Sequence, residues 1–330
     1  MNVTLRFAIL LLSLVFLGIG YLSRKQMMKK RQEIETEKEM VNEKEMMETT
    51  KEMMNEPEND KANIMPNPHL FSALGWVLFG LYWFTYISFY QREGDYTNAF
   101  LCFAALPFFG YLGYREWESR SSGGIEGLRF LSGMTLITMT FYLLISMVPI
   151  VEGALEYMNA YLVASFLTHT GFPARAGSID YSGNPLWYRT NDLIISVPIL
   201  HDGNNDVLIT LSCTAFPSML LFTAAIICAR ESARVRLKAF LLTIPAIFMF
   251  NIIRMALIVY LSYTGATSAL FAHNVLGKIG SMLALLFLAW VLFTFLPSVL
   301  DSISEIRGIF FEKGKGGHKK INGHVKQEKT

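Results

Sequence analysis

Three residues have side chains that could do chemistry together. Cys213, Arg254 and His273 lie in three successive apolar runs, residues 207–229, 238–263 and 272–297. A thiol becomes a strong nucleophile once ionised, an imidazole moves protons near neutrality, and a guanidinium carries a charge it does not give up. Together they suit acyl transfer through a covalent thioester. Each has a plain explanation alone: packing for the thiol, interface contact for the imidazole, snorkelling for the arginine. A cation in hydrocarbon costs about 2.5–3.5 kcal/mol even on the lenient insertion scale, so Arg254 in its run marks a functional position. It is the co-location of the three that favours chemistry.

Neighbouring residues add detail. Asn251 precedes Arg254 by three positions, on the same helical face, and is placed to hold the guanidinium. Thr214 adjoins the thiol. Pro217 lacks an N–H, so the carbonyl of Cys213 loses its helical partner and a bend is expected there. Gly277, Gly280 and Ser281 permit close helix approach. Lys278 is a second cation at this end, expected to snorkel to the outer interface. Cys102 and Cys228 have no titratable neighbours at helical spacing and read as packing residues.

These residues need a membrane to hold them. The 330-residue chain is 52% hydrophobic and 17% charged with mean hydropathy +0.34, and its apolar residues fall in runs long enough to cross about 30 Å of hydrocarbon. Beside the three runs above, 5–22, 69–90, 96–114 and 127–149 qualify, giving seven spans. Zinc-type spacing, a Walker loop and a dinucleotide fingerprint are all absent, and three cysteines in apolar runs imply no disulfide framework. The first run carries its basic cluster after it, at Arg24, Lys25, Lys29, Lys30 and Arg31, which reads as an anchor rather than a cleaved signal peptide. Residues 33–61 interleave Glu, Lys and Met and read as a solvated helix or linker.

Charge sets the orientation. Arg115, Arg120 and Arg129, then Arg230, Arg234, Arg236 and Lys238, then Arg307 and the tail lysines 313, 315, 319 and 320 all fall on one side when the seven spans are counted. The positive-inside rule makes that side cytoplasmic. The excursion 151–206 is then outside. Residues 152–168 should form an amphipathic helix with Leu155, Met158, Tyr161 and Leu162 on one face. A hairpin should turn at residues 182–185, with Trp187 and Tyr188 as interface anchors. By helical rise, Cys213 and Arg254 lie about 10 and about 13 Å from the outer ends of their spans, with His273 at the outer mouth. The chain therefore reads as an all-α polytopic membrane protein. Its parts are an anchor (1–23), a charged cytoplasmic linker (24–66), a six-span core (67–300) holding the extracellular helix and hairpin excursion, and a basic tail (301–330).

The segments Ser212-Cys213-Thr214-Ala215, Asn251-Ile252-Ile253-Arg254 and Ala272-His273-Asn274, in that order, resemble the signature of the exosortase/archaeosortase family of membrane cysteine transpeptidases. Ser218, Met219 and Pro245 bring the pattern nearest to its archaeosortase A branch. The resemblance covers the six-span core and not the anchor or linker. It implies Cys213 as nucleophile, Arg254 as stabiliser of thiolate and oxyanion, and His273 as general base and acid, with Asn251 and Thr214 in support and no cofactor or metal. Implied substrates are secreted or surface proteins ending in a short motif (Pro-Gly-Phe in that branch), a transmembrane helix and a basic cluster. The implied acceptor is a membrane lipid, and the site would face the cell exterior. Two other readings stand beside it: a small transporter with Arg254 and Lys278 on an anion path, and a scaffold using the charged linker. No inverted repeat supports the transporter.

Overall fold

In hydrocarbon every backbone N–H and C=O must be satisfied within the chain, so apolar runs of this length fold as helices. The computed structural model describes residues 3–45, 67–92, 94–122, 125–179, 181, 195–202, 204–268 and 271–311. The chain is an all-α polytopic membrane protein, with one small sheet among the described residues. Its helices are α1 (Val3–Glu45), α2 (Pro68–Phe84), α3 (Ile87–Arg92), α4 (Tyr96–Glu118), α5 (Glu126–Ser146), α6 (Pro149–His169), α7 (Phe216–Cys228), α8 (Ala233–Tyr263), α9 (Lys278–Phe295) and α10 (Pro297–Phe311). Among the described residues, five stretches are long and apolar enough to cross a bilayer: Leu5–Lys29, Pro68–Arg92, Glu126–Ser146, Ala233–Tyr263 and Val275–Phe295. α4 and the shorter α7 occupy the places of the other two expected spans.

The first helix is part of the bundle. Leu10, Leu14 and Leu17 are buried against Trp76 and Phe79 of α2, Leu112 of α4 and Leu128 of α5. Backbones approach closely here: a Cβ on Gly20 would collide with Ser72 Oγ and the carbonyl of Pro68. Arg24 was expected to open a solvated linker, but it is buried. Its Nη1 donates to Glu116 Oε1 at 2.7 Å and its Nη2 to Ser72 Oγ at 3.0 Å, while His69 Nδ1 sits 2.9 Å from the same carboxylate oxygen. A charge leaves water only with such partners. The helix runs on through the charged residues to Glu45, and the rest of the linker lies outside the described residues, as do the tail lysines.

Contacts sort the elements into two ends. At one end Arg24 meets Glu116, Arg230 meets Glu126 at 3.1 Å, Glu305 accepts from Gly127 N at 2.7 Å and Glu231 accepts from Ser298 N at 2.8 Å. At the other, Lys278 Nζ lies 3.0 Å from each oxygen of Asp95, and Arg6 stands over the Tyr86 ring. The basic connections expected inside thus gather at one end, away from Cys213.

The excursion differs from expectation in two respects. α6 does expose Met158 and Tyr161, together with Tyr157 and Phe166. Its inward face carries Glu152, Glu156 and Asn159 as well as Ala160, Val163 and Leu167, so its polar groups are the buried ones. Beyond it, β1 (Arg175–Ala176), β2 (Val197–His201) and β3 (Asn204–Ile209) form an antiparallel sheet in that order, with Arg175 opposite Leu200 and Val197 opposite Ile209. Its tight turn is at Asp202, whose φ is 47°; the turn expected at 182–185, with Trp187 and Tyr188, lies outside the described residues. β3 also shortens the expected span 207–229. Val207 and Ile209 point into the core while Leu208 is exposed, a two-residue period, and helix resumes only at Phe216 with Pro217 in its first turn.

Candidate active site

Cys213 therefore sits outside a transmembrane helix. It closes a 3₁₀ turn, Leu211–Cys213, between the end of β3 and the start of α7. The turn is held by Cys213 N donating to Thr210 O at 2.9 Å and Thr214 N donating to Leu211 O at 3.2 Å. Thr214 Oγ1 donates to Leu211 O at 2.7 Å and accepts from Phe216 N at 3.3 Å, which joins the turn to α7. The thiol residue is 5% exposed, within a cluster built from α6 (Ala160, Val163), the sheet (Val197, Ile209) and α8 (Met255, Val259), together with Ala272.

The freed carbonyl of Cys213 has a partner from another helix. Arg254 Nη2, on α8, donates to it at 3.0 Å. Its Nη1 donates to Ser281 Oγ of α9 at 2.8 Å, and Ser281 Oγ in turn donates to Gly277 O at 2.7 Å. Met255 Sδ accepts a third contact from Nη2 at 3.1 Å. Planar guanidinium geometry lets one side chain tie the cysteine turn to the start of α9. The charge of Arg254 and the Cys213 sulfur also lie within electrostatic range of each other.

Asn251 does not hold the guanidinium; that place is taken by Ser281. The Nδ2 of Asn251 is buried with no hydrogen-bond partner among the described residues, as is Arg254 Nε. Both residues line a cavity of about 250 Å³ between α7, α8 and α9, together with Ser212, Thr214 and Ser281. Leu257 and Leu276, which also line it, are exposed.

His273 lies in a π-helical turn, Ala272–Gly277, that leads into α9. Such turns are rare and recur at functional sites. It is half-buried and stands among three charges, Arg254, Lys278 and Asp95. No hydrogen bond joins it to Cys213 among the described residues. Lys278, expected to reach the interface, is instead paired with Asp95, the residue that caps α4 by accepting from Asn98 N. The structure thus brings Cys213 and Arg254 into contact through a main-chain carbonyl, and sets His273 within charge range of Arg254. Two residues that sequence reasoning passed over touch these groups. Ser281 was read for its size alone. Thr210, whose Oγ1 is 3.4 Å from Cys213 Sγ, gives no signal in a sequence where 207–229 reads as one apolar span.

A family model described as "Transmembrane exosortase (Exosortase_EpsH)" matches residues 56–290, a stretch that holds Cys213, Arg254, His273 and the cavity. No curated protein matches the chain, and no solved structure does.

Proposed function

The chain belongs to the transmembrane exosortase family, whose members are membrane protein-sorting transpeptidases, and we propose that it is a cysteine transpeptidase acting on the carboxy-terminal sorting signals of secreted proteins. The observation that carries this reading is the hydrogen bond from Arg254 Nη2 to the carbonyl of Cys213. It fixes a permanent cation at the backbone of the thiol residue, whose neighbours Ser212 and Thr214 line a cavity together with Arg254.

In the proposed reaction the Cys213 thiolate attacks the scissile carbonyl and forms a thioester acyl-enzyme. Arg254 keeps its proton and stabilises first the thiolate and then the oxyanion of the tetrahedral intermediate. A site of low dielectric makes that charge count for more than it would in water. His273 serves as general base and then as acid toward the leaving amine. Thr214 fixes the nucleophile's turn, and Asn251 lines the cavity beside the guanidinium. A lipid head-group amine then resolves the thioester and takes the protein. The substrate's own transmembrane helix would bring its motif to the depth of Cys213. The site faces the cell exterior, since the basic connections gather at the opposite end.

The test is the mass of the carboxy terminus of a sorting-signal reporter, with the enzyme and without it. The active enzyme should yield a truncated, lipid-modified product. Cys213→Ala should insert normally and leave the reporter at full length. A processed reporter in the Cys213→Ala strain would sink the proposal.

A further inference from the structure

We propose that Thr210 is a catalytic residue: its hydroxyl, itself held by Ser212, donates to the sulfur of Cys213 and supports it as the nucleophile, with His273 remaining the base. The inference rests on Cys213 being the nucleophile.

Two distances carry it. Thr210 Oγ1 lies 3.4 Å from Cys213 Sγ and 2.9 Å from Ser212 Oγ. The backbone makes the first of these contacts. Residues three apart eclipse one another in a 3₁₀ turn, and the turn here is closed by Cys213 N on Thr210 O. Thr210 itself is extended, with φ −115° and ψ 168°, because it joins the end of β3 at Ile209 to the 3₁₀ turn. Burial then gives the chain of hydroxyls a direction. Cys213 is 5% exposed, Thr210 is half-buried, and Ser212 is exposed and lines the cavity with Asn251 and Arg254.

Other groups around the thiol are engaged elsewhere. Arg254 of α8 keeps its proton and points its Nη2 at the carbonyl of Cys213. His273 of the π turn makes no hydrogen bond to the sulfur among the described residues. Lys278 of α9 is paired with Asp95. His201 of β2 binds Pro173 O and stacks on Phe172. Glu152 and Glu156 lie on the buried face of α6, but that helix contributes the apolar residues Ala160, Val163 and Leu167 to the cluster holding Cys213. A hydroxyl is therefore the polar group the sulfur touches.

The proton count follows the proposed reaction. The S–H proton of Cys213 goes to His273 and from there to the amide nitrogen of the substrate as the carbon–sulfur bond forms and the carbon–nitrogen bond breaks, giving a thioester and a neutral amine. Thr210 keeps its proton and donates it as a hydrogen bond to the sulfur, and Ser212 donates to Thr210. Both hydroxyls end as they began.

Alkylation of Cys213 tests this without needing a substrate. In full-length protein carrying Cys102→Ala and Cys228→Ala, the rate of iodoacetamide labelling is followed between about pH 6 and about pH 10. Thr210→Val keeps the branched shape and removes the hydroxyl. It should lower the rate at neutral pH about tenfold and move the profile up by about one pH unit. Thr210→Ser should restore both, and Ser212→Ala should shift the profile in the same direction. An unchanged profile in Thr210→Val overturns the proposal, and so does a thiol that reacts at no pH in the unaltered protein. If Thr210→Val fails to fold, an unchanged profile in Ser212→Ala overturns it alone. Reporter processing separates the two claims. A working enzyme whose profile ignores Thr210 keeps its proposed function and loses this contact, whereas a shifted profile with no processing keeps the contact and overturns the function it would serve.

Discussion

Removing the Ser281 hydroxyl should weaken the enzyme while leaving its nucleophile intact. In the folded protein that hydroxyl accepts from Arg254 Nη1 at 2.8 Å and donates to Gly277 O at 2.7 Å, so Ser281→Ala strands one N–H of the guanidinium. A hydrogen bond to a charged group contributes about 1.5–3 kcal/mol. The cavity beside it, about 250 Å³, gives water room to replace part of that loss. The lower figure is therefore the better guide, and it corresponds to about tenfold in rate. Arg254→Lys should lose at least as much. A single ammonium cannot span Ser281 Oγ and the carbonyl of Cys213, which sit on separate elements. Pulse–chase processing of a sorting-signal reporter, normalised to enzyme level, measures both. Ser281→Thr keeps the hydroxyl and should recover most of the rate. Wild-type processing by Ser281→Ala would show that the guanidinium needs no help from α9, and the positioning argument would fail.

Further tests address the frame around the site. Glu116→Ala leaves Arg24 buried without its carboxylate and should cost about 3–5 kcal/mol, read as a lowered thermal midpoint in detergent. Replacing both residues with apolar side chains of similar size should recover much of that, and a double variant as weak as the single one would contradict the assignment. Asp95 supplies a pH dependence. Burial alone would raise its carboxyl, but the Asn98 N–H and the Lys278 ammonium hold it below the ordinary carboxylate range. Its contribution to stability is then fully present above the ordinary value of about 4, and is lost as pH falls through the depressed one. Asp95→Asn should flatten that acid limb of the melting profile, and an identical limb in both proteins would rule the pair out as its cause.

Much of the frame was legible because lipid imposes one rule on every span. The five long apolar helices follow from run length, and the gathering of Arg115, Arg129 and Arg230 at one end follows from charge. The sequence was silent where polar partners decide the outcome. Arg24 reads as the edge of a linker until Glu116, ninety-two residues away, is known to receive it. α6 reads as a helix lying on the surface, because its apolar face is the one toward lipid while Glu152 and Glu156 turn inward.

At the site itself the most instructive difference concerns Pro217. Its missing N–H was expected to free the carbonyl of Cys213 by bending a long helix. The carbonyl is free, but because the helix has not yet begun: β3 continues to Ile209, a 3₁₀ turn carries the cysteine, and α7 starts at Phe216. Residues 207–209 are as apolar as a helix would need, so composition could not separate strand from span. The consequence is chemical. A cysteine inside a helix would present its thiol on an apolar face, with its own N–H held in the helix ladder. Placed in a turn ahead of α7, its carbonyl is open to Arg254, its sulfur to Thr210, and the positive end of a helix follows three residues later. Each of these brings a donor or a positive dipole to the cysteine. A reading with Cys213 in mid-span has Arg254 as its single source of such help, and the observed turn adds the other two.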